Sequence, residues 1–139
     1  MPEQRNAYQG SPPRPWIRLV VRDADGGSYE VSVLADTGNP CALIVGSKVL
    51  AQFNLGLAPG MNTNFGPLDG GWLRVQISDL AFDENVLAYG SDAVVEAAQA
   101  SHCAFSGLAG LPLLRMLEYG GNRDHFWLRP PPPPTVITD

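Results

Sequence analysis

Residues 28–35, SYEVSVLA, put Tyr29, Val31 and Val33 on one side of an extended chain and Glu30 and Ser32 on the other. That period of two marks a half-buried strand. The preceding WIRLVVR, 16–22, is rich in β-branched and aromatic residues and reads as its partner. Between them DADGG, 23–27, supplies Asp-Gly turn chemistry. Residues 16–35 therefore predict a β-hairpin that ends at Asp36. With 15 glycines and 13 prolines, a strand-and-turn protein is expected rather than a helical bundle.

The remaining segments extend this pattern. CALIV, 41–45, is a short apolar run and the next expected strand; Ser47 is placed to cap a short helix, KVLAQF, before an NLGLAPG turn. Residues 62–72, NTNFGPLDGGW, are turn-rich and bracketed by Phe65 and Trp72. WLRVQISDLAF alternates Leu73, Val75 and Ile77, and NVLAYG, 85–90, gives a further strand. SDAVVEAAQA, 91–100, fits either class by pattern; its alanines and the Ser91-Asp92 start favour helix. A helix from Pro112 to about Glu118 has proline near its start and glycine after its end. HFWLR, 125–129, is the last strand, followed by five prolines that form a stiff polyproline II spacer. The expected architecture is mostly β, with about six strands and one or two short helices.

At 139 residues the chain is expected to form one domain, over 16–129. The polar, proline-rich 1–15 is expected to be a disordered lead-in, and 130–139 a proline-rich tail. The net charge is −5, without a basic stripe, which disfavours nucleic acid and anionic membranes as partners. No apolar run approaches the ~18 residues of a spanning helix, and no apolar export segment opens the chain. The cytoplasm is the expected location, with Cys41 and Cys103 reduced. His102 adjoins Cys103, where neighbouring side chains diverge, and His125 lacks a ligand partner at metal spacing. No metal or cofactor is expected.

Asp36-Thr37-Gly38 lies between VSVLA and CALIV, two apolar runs. The tripeptide is ordinary turn chemistry, but a carboxylate at the end of a buried strand is costly to desolvate. One chemistry gives it a purpose. Two carboxylates held close share one proton; the charged one draws a proton from water, and the protonated one donates a hydrogen bond to a peptide carbonyl. Aspartic proteases are the type case of this pairing.

VLADTGN, followed by GLAGLPLLRML and HFWL, resembles the retropepsin-like aspartic proteases, the retroviral-type family with small single-domain bacterial members. The resemblance covers roughly Trp16 to Arg129 and implies a closed, orthogonal β-barrel-like fold that works as a homodimer. It implies that Asp36, Thr37 and Gly38 form the catalytic triplet. FGPLDGGW, 65–72, then stands where the flap lies, so that Leu68, Asp69, Gly70, Gly71 and Trp72, with Asn39, would contact substrate. Leu108-Ala109-Gly110 match the element behind the active-site loop, and LPLLRML the helix after it. The chain departs from the pattern at Asn39-Pro40, where Ala or Ser commonly follows the glycine. It departs also at Ala109, which is smaller than usual, and in a longer 91–106 segment that would reshape the cleft or the dimer edge.

Only one Asp-Thr/Ser-Gly occurs, so one chain supplies one carboxylate of the pair. The resemblance then implies a two-fold dimer with both Asp36 side chains at the axis. An extended peptide would lie between the subunits as an added strand. The expected activity is an aspartic endopeptidase with itself and a peptide or protein substrate as partners. The alternative is a non-catalytic dimerisation or peptide-binding module. A thiol hydrolase built on Cys41 with His102 or His125 has no supporting motif. Trp16 and Trp127 are expected in the core; Trp72 and Phe65 suit either core or side-chain pockets.

Overall fold

The computed structural model describes residues 2–64, 66–99 and 105–131. The expected hairpin is present: β2, Trp16–Arg22, pairs antiparallel with β3, Ser28–Asp36, in register from Trp16↔Leu34 to Arg22↔Ser28. Asp23 Oδ1 closes the turn by accepting the Asp25 and Gly27 N–H groups at 2.9 and 2.7 Å. Strand β4, Leu43–Val45, is followed by helix α1, Ser47–Phe53. Ser47 is the first residue of that helix and not its cap. The cap position is Gly46, and the carboxylate of Asp92 accepts the Ser47 N–H at 2.9 Å.

The NLGLAPG segment, expected as a turn, mostly belongs to β5, Leu57–Thr63, and the turn-rich 62–72 belongs largely to the twelve-residue β6, Gly66–Ile77. Pairing decides against local turn chemistry here. β6 is laddered from Ile77↔Phe82 to Asp69↔Gly90 with β7, Phe82–Gly90, so its glycines lie inside a sheet. Helix α2, Asp92–Gln99, forms as expected, with Ser91 Oγ accepting the Val94 N–H at 3.2 Å. β8, Gly107–Gly110, leads into α3, Leu111–Leu114, far shorter than the expected helix. The chain then turns into β9, Glu118–Gly121, and β10, His125–Arg129.

Seven strands form one sheet in the order β2-β3-β8-β4-β7-β6-β5, and β2 also pairs with β6. Six of them therefore close into a barrel, and β5 extends outward on β6 as a hairpin. The alternation read from sequence decides what fills the barrel: Ile17, Leu19, Val21, Val31, Val33, Leu73, Val75 and Ile77 all point inward and are buried. Leu113, Leu114, Phe126 and Leu128 complete the same core. Among the described residues, no helix is long and apolar enough to cross a membrane.

The expectation of a disordered segment over 1–15 is corrected at its centre. Gln4–Ala7 forms β1, paired with β10 from Gln4↔Leu128 to Ala7↔His125, in a three-stranded sheet β1-β10-β9. Gln4 and Asn6 are buried although polar, because their amides are spent on the barrel. Gln4 Nε2 donates to the Arg18 carbonyl (2.9 Å) and its Oε1 accepts the Arg18 N–H (2.7 Å), while Asn6 Nδ2 donates to Gln4 Oε1 (2.9 Å). Such satisfied amides carry no burial penalty. Trp16 and Trp127 are only partly buried. Trp16 donates to the Ala7 carbonyl at 2.6 Å, and the Trp127 ring lies under the Arg129 guanidinium, 3.9 Å from its centroid. The proline tail from 132 onward lies outside the described residues, as do Phe65, His102 and Cys103.

Glu3 ties the sheet's edge, accepting from Arg129 Nε and Arg5 Nε at 2.9 Å each. The Arg129 hydrogen bond holds its carboxyl below the usual glutamate value. A depressed folded value means that this stabilisation is present above the unfolded pKa and lost as pH falls through the folded one. Glu3→Gln is therefore expected to lower the melting temperature slightly at pH 7, and the gap to wild type should close in strong acid. Thermal melts at both pH values check this.

Candidate active site

Strand β3 delivers Asp36 as its last residue, and the chain must then return to the barrel as β4. β8 lies between those two strands, parallel to β3 (Asp36↔Gly110) and antiparallel to β4 (Leu43↔Ala109). The loop 37–42 thus crosses over the end of β8 and is pinned to it. Gly110 N–H donates to the Ala42 carbonyl at 3.0 Å and Leu111 N–H to the Asn39 carbonyl at 3.1 Å. This crossing explains Leu108-Ala109-Gly110. A Cβ on residue 110 would collide with the Cys41 carbonyl oxygen and stand 2.5 Å from that of Asn39. Ala109, on the strand between β3 and β4, is wholly buried.

Asp36 is half-buried, while Thr37 and Gly38 are exposed. Asp36 Oδ1 accepts the Gly38 N–H at 3.0 Å and its carbonyl accepts the Asn39 N–H at 3.1 Å, which fixes the carboxylate's direction. It faces a cleft of about 460 Å³. Asn39, Pro40 and Cys41 form one wall, Ile44 and Leu108 the floor strands, Val94 of α2 a side, and Met61 to Asn64 with Leu68 the overhanging hairpin. Asp36 is the single carboxylate among the described residues lining it.

Of the residues expected to contact substrate, Asn39 and Leu68 join Asp36 at this cleft. Asp69 and Gly70 do not. They line a separate groove of about 430 Å³ beside α1, with Ser47, Leu50 and Asn54. Gly71 packs beneath Asn54, and Trp72 is 43% exposed on the outer face of β6. The expected flap glycines are thus mid-strand, and the hairpin tip lies nearer residue 64. Thr63 Oγ1 donates to the Gly66 carbonyl at 3.0 Å across it, and Gly66 has φ 95°, which favours glycine. The missed residues, Met61 to Asn64, carried a signal in the Asn-Thr-Asn and Gly66 turn chemistry. It was masked by the stronger-looking Asp-Gly-Gly that follows. The helix in the longer 91–106 segment bears on the cleft, since it places Val94 in the wall.

Asn39 carries a second feature. Its Oδ1 accepts the Cys41 N–H at 3.0 Å, while Nδ2 is buried with no hydrogen-bond partner. An orphaned buried donor costs about 1–3 kcal/mol. Cys41 itself is poorly suited to nucleophilic work. Burial raises its pKa, and its Sγ lies against Met61 Sδ at 3.3 Å rather than against a base. His125 stands in β10, paired with Ala7 in the terminal sheet. Among the described residues, no group of three or more His, Cys, Asp or Glu is placed to hold a metal ion.

No family model matches the chain, and no curated protein sequence does. Among solved structures the chain is similar to the EIAV protease complexed with the inhibitor HBY-793. The likeness has 12% sequence identity and a TM-score of 0.45, and covers 73% of this chain and 85% of that one.

Proposed function

We propose that the chain is one half of a dimeric aspartic endopeptidase, in which Asp36 of two copies forms the catalytic pair. The observation that carries this reading is Asp36 itself. It is a carboxylate held by a fixed turn at the mouth of a mostly apolar cleft, beside an exposed Thr37-Gly38 edge to which a second copy has access. One carboxylate cannot both take and give a proton in the same step. Two within hydrogen-bond distance share one proton, because both cannot ionise. The ionised Asp36 takes a proton from water, and the oxygen so freed attacks the peptide carbonyl carbon. The protonated Asp36 donates to the carbonyl oxygen as it becomes tetrahedral. Transfer of a proton to the amide nitrogen then lets the C–N bond break. Met61, Leu68, Ile44 and Leu108 exclude water and receive apolar substrate side chains.

The test combines sedimentation with digestion of a mixed peptide library between acid and neutral pH. Cleavage that appears with a two-copy species and follows a bell-shaped pH profile supports the reading. Full activity in a strictly monomeric species refutes it. Peptide binding without cleavage shifts the assignment to the non-catalytic binding module.

A further inference from the structure

Helix α3 and the turn after it are apolar on both faces. Leu113, Leu114 and Leu117 are buried in the barrel core. The helical bonds run on past Leu114, from the Arg115 N–H to the Leu111 carbonyl, from Met116 to Leu113 and from Leu117 to Leu114. The other side of these turns carries Leu111, Pro112, Arg115 and Met116, all exposed. A helix that packs on a core by one face ordinarily presents polar residues on the other. Here Arg115 is the one polar member, and Leu111 and Met116 are 37% and 36% exposed.

The place of this face in the fold gives it a use. Gly110 is the Cα partner of Asp36, and paired strands lie about 5 Å apart, so α3 starts one residue from the position beside Asp36. The Leu111 N–H is bonded to the Asn39 carbonyl in the loop that carries Asp36. A two-fold axis that brings two Asp36 side chains together also brings two copies of α3 close to it. The segment carries its own countercharge as well. Arg115 and Glu118 are exposed and opposite in sign, and among the described residues neither forms an ion pair. Arg129, opposite Glu118 in the β9–β10 ladder, is spent on Glu3. In an isologous contact, what residue i meets in the partner, residue j meets in return. One segment with both signs can therefore satisfy itself twice across an axis.

We infer that residues 111–118 are the self-association face of this chain: a second copy covers Leu111, Pro112 and Met116 with its own, and Arg115 of each copy pairs with Glu118 of the other. The inference rests on the paired-Asp36 reading above and adds the surface that brings the pair together.

Arg115→Glu and Glu118→Arg each set two like-charge contacts across the axis. The two changes together restore both pairs with their signs exchanged. Both residues are exposed and hold no ion pair within the subunit, so each variant should keep the native fold, as circular dichroism checks. Sedimentation over a range of concentrations is expected to show each single variant associating roughly tenfold more weakly than the native chain, and the double variant close to it. Single variants that associate like the native chain, a double variant no better than the singles, or a native chain that stays single throughout overturns the assignment.

Peptide cleavage by the same samples separates the two claims. Association that follows the swap pattern without cleavage keeps the face and removes the protease. Association and cleavage both indifferent to the single changes remove the face and leave the protease. Cleavage that falls and returns with association supports both.

Discussion

Asp36→Asn is expected to abolish peptide cleavage, lowering the rate by roughly 10²–10⁴-fold, the range of general acid–base assistance, while the fold and the two-copy assembly persist. The amide is isosteric. It can still accept the Gly38 N–H that the carboxylate accepts now at 3.0 Å, so the turn should survive. What it cannot do is take a proton from water. On the proposed mechanism, a mixed dimer of one native subunit and one carrying Asp36→Asn should be as inactive as the dimer substituted in both, because a shared-proton pair acts as a unit. Peptide digestion followed by mass spectrometry, with sedimentation on the same samples, measures both effects. Residual cleavage near the native rate in the variant would place the chemistry elsewhere.

Gly110→Ala is expected to cost roughly 3 kcal/mol, at the upper end of overpacking penalties. The added methyl group would meet the Cys41 and Asn39 carbonyl oxygens, both main-chain atoms of the loop that carries Asp36. Backbone cannot rotate aside as a side chain can. The loop would have to lift, breaking the bonds from Gly110 N–H to Ala42 and from Leu111 N–H to Asn39. Denaturant unfolding measures the loss. A second reading comes from activity: the fraction that remains folded should cleave far more slowly than native protein, since Asp36 would be displaced. An alanine variant with native stability would mean that the loop does not cross β8 as described.

The part of this fold that was legible in the sequence is the part governed by apolar periodicity. The β2–β3 hairpin, the inward face of β6 and the last strand all announce themselves by alternation, and the join at Asp36 by its apolar flanks. Where pairing over long range decides, the local signal misleads. Gly70 and Gly71 look like the tip of a flap because glycine pairs favour turns, yet the β7 ladder holds them mid-strand. Gln4–Ala7 looks like a disordered segment because QRNA has little to bury; its place depends on amides meeting backbone groups far along the chain. The place of Asn39 was half visible. Its type and position beside Gly38 pointed to the cleft, but the unused donor exists only once the turn that consumes its neighbours is formed.

The pairing of β1 with β10 inside a single subunit has a consequence for control. Where the terminal strands are already matched with one another, that pairing does not call on a second copy. On the proposed pairing of two Asp36 side chains, subunits that fold apart would be competent only together, so that output would rise with the square of their concentration while they are scarce. Dilution would act as the off state, reversible and free of any damage to the chain.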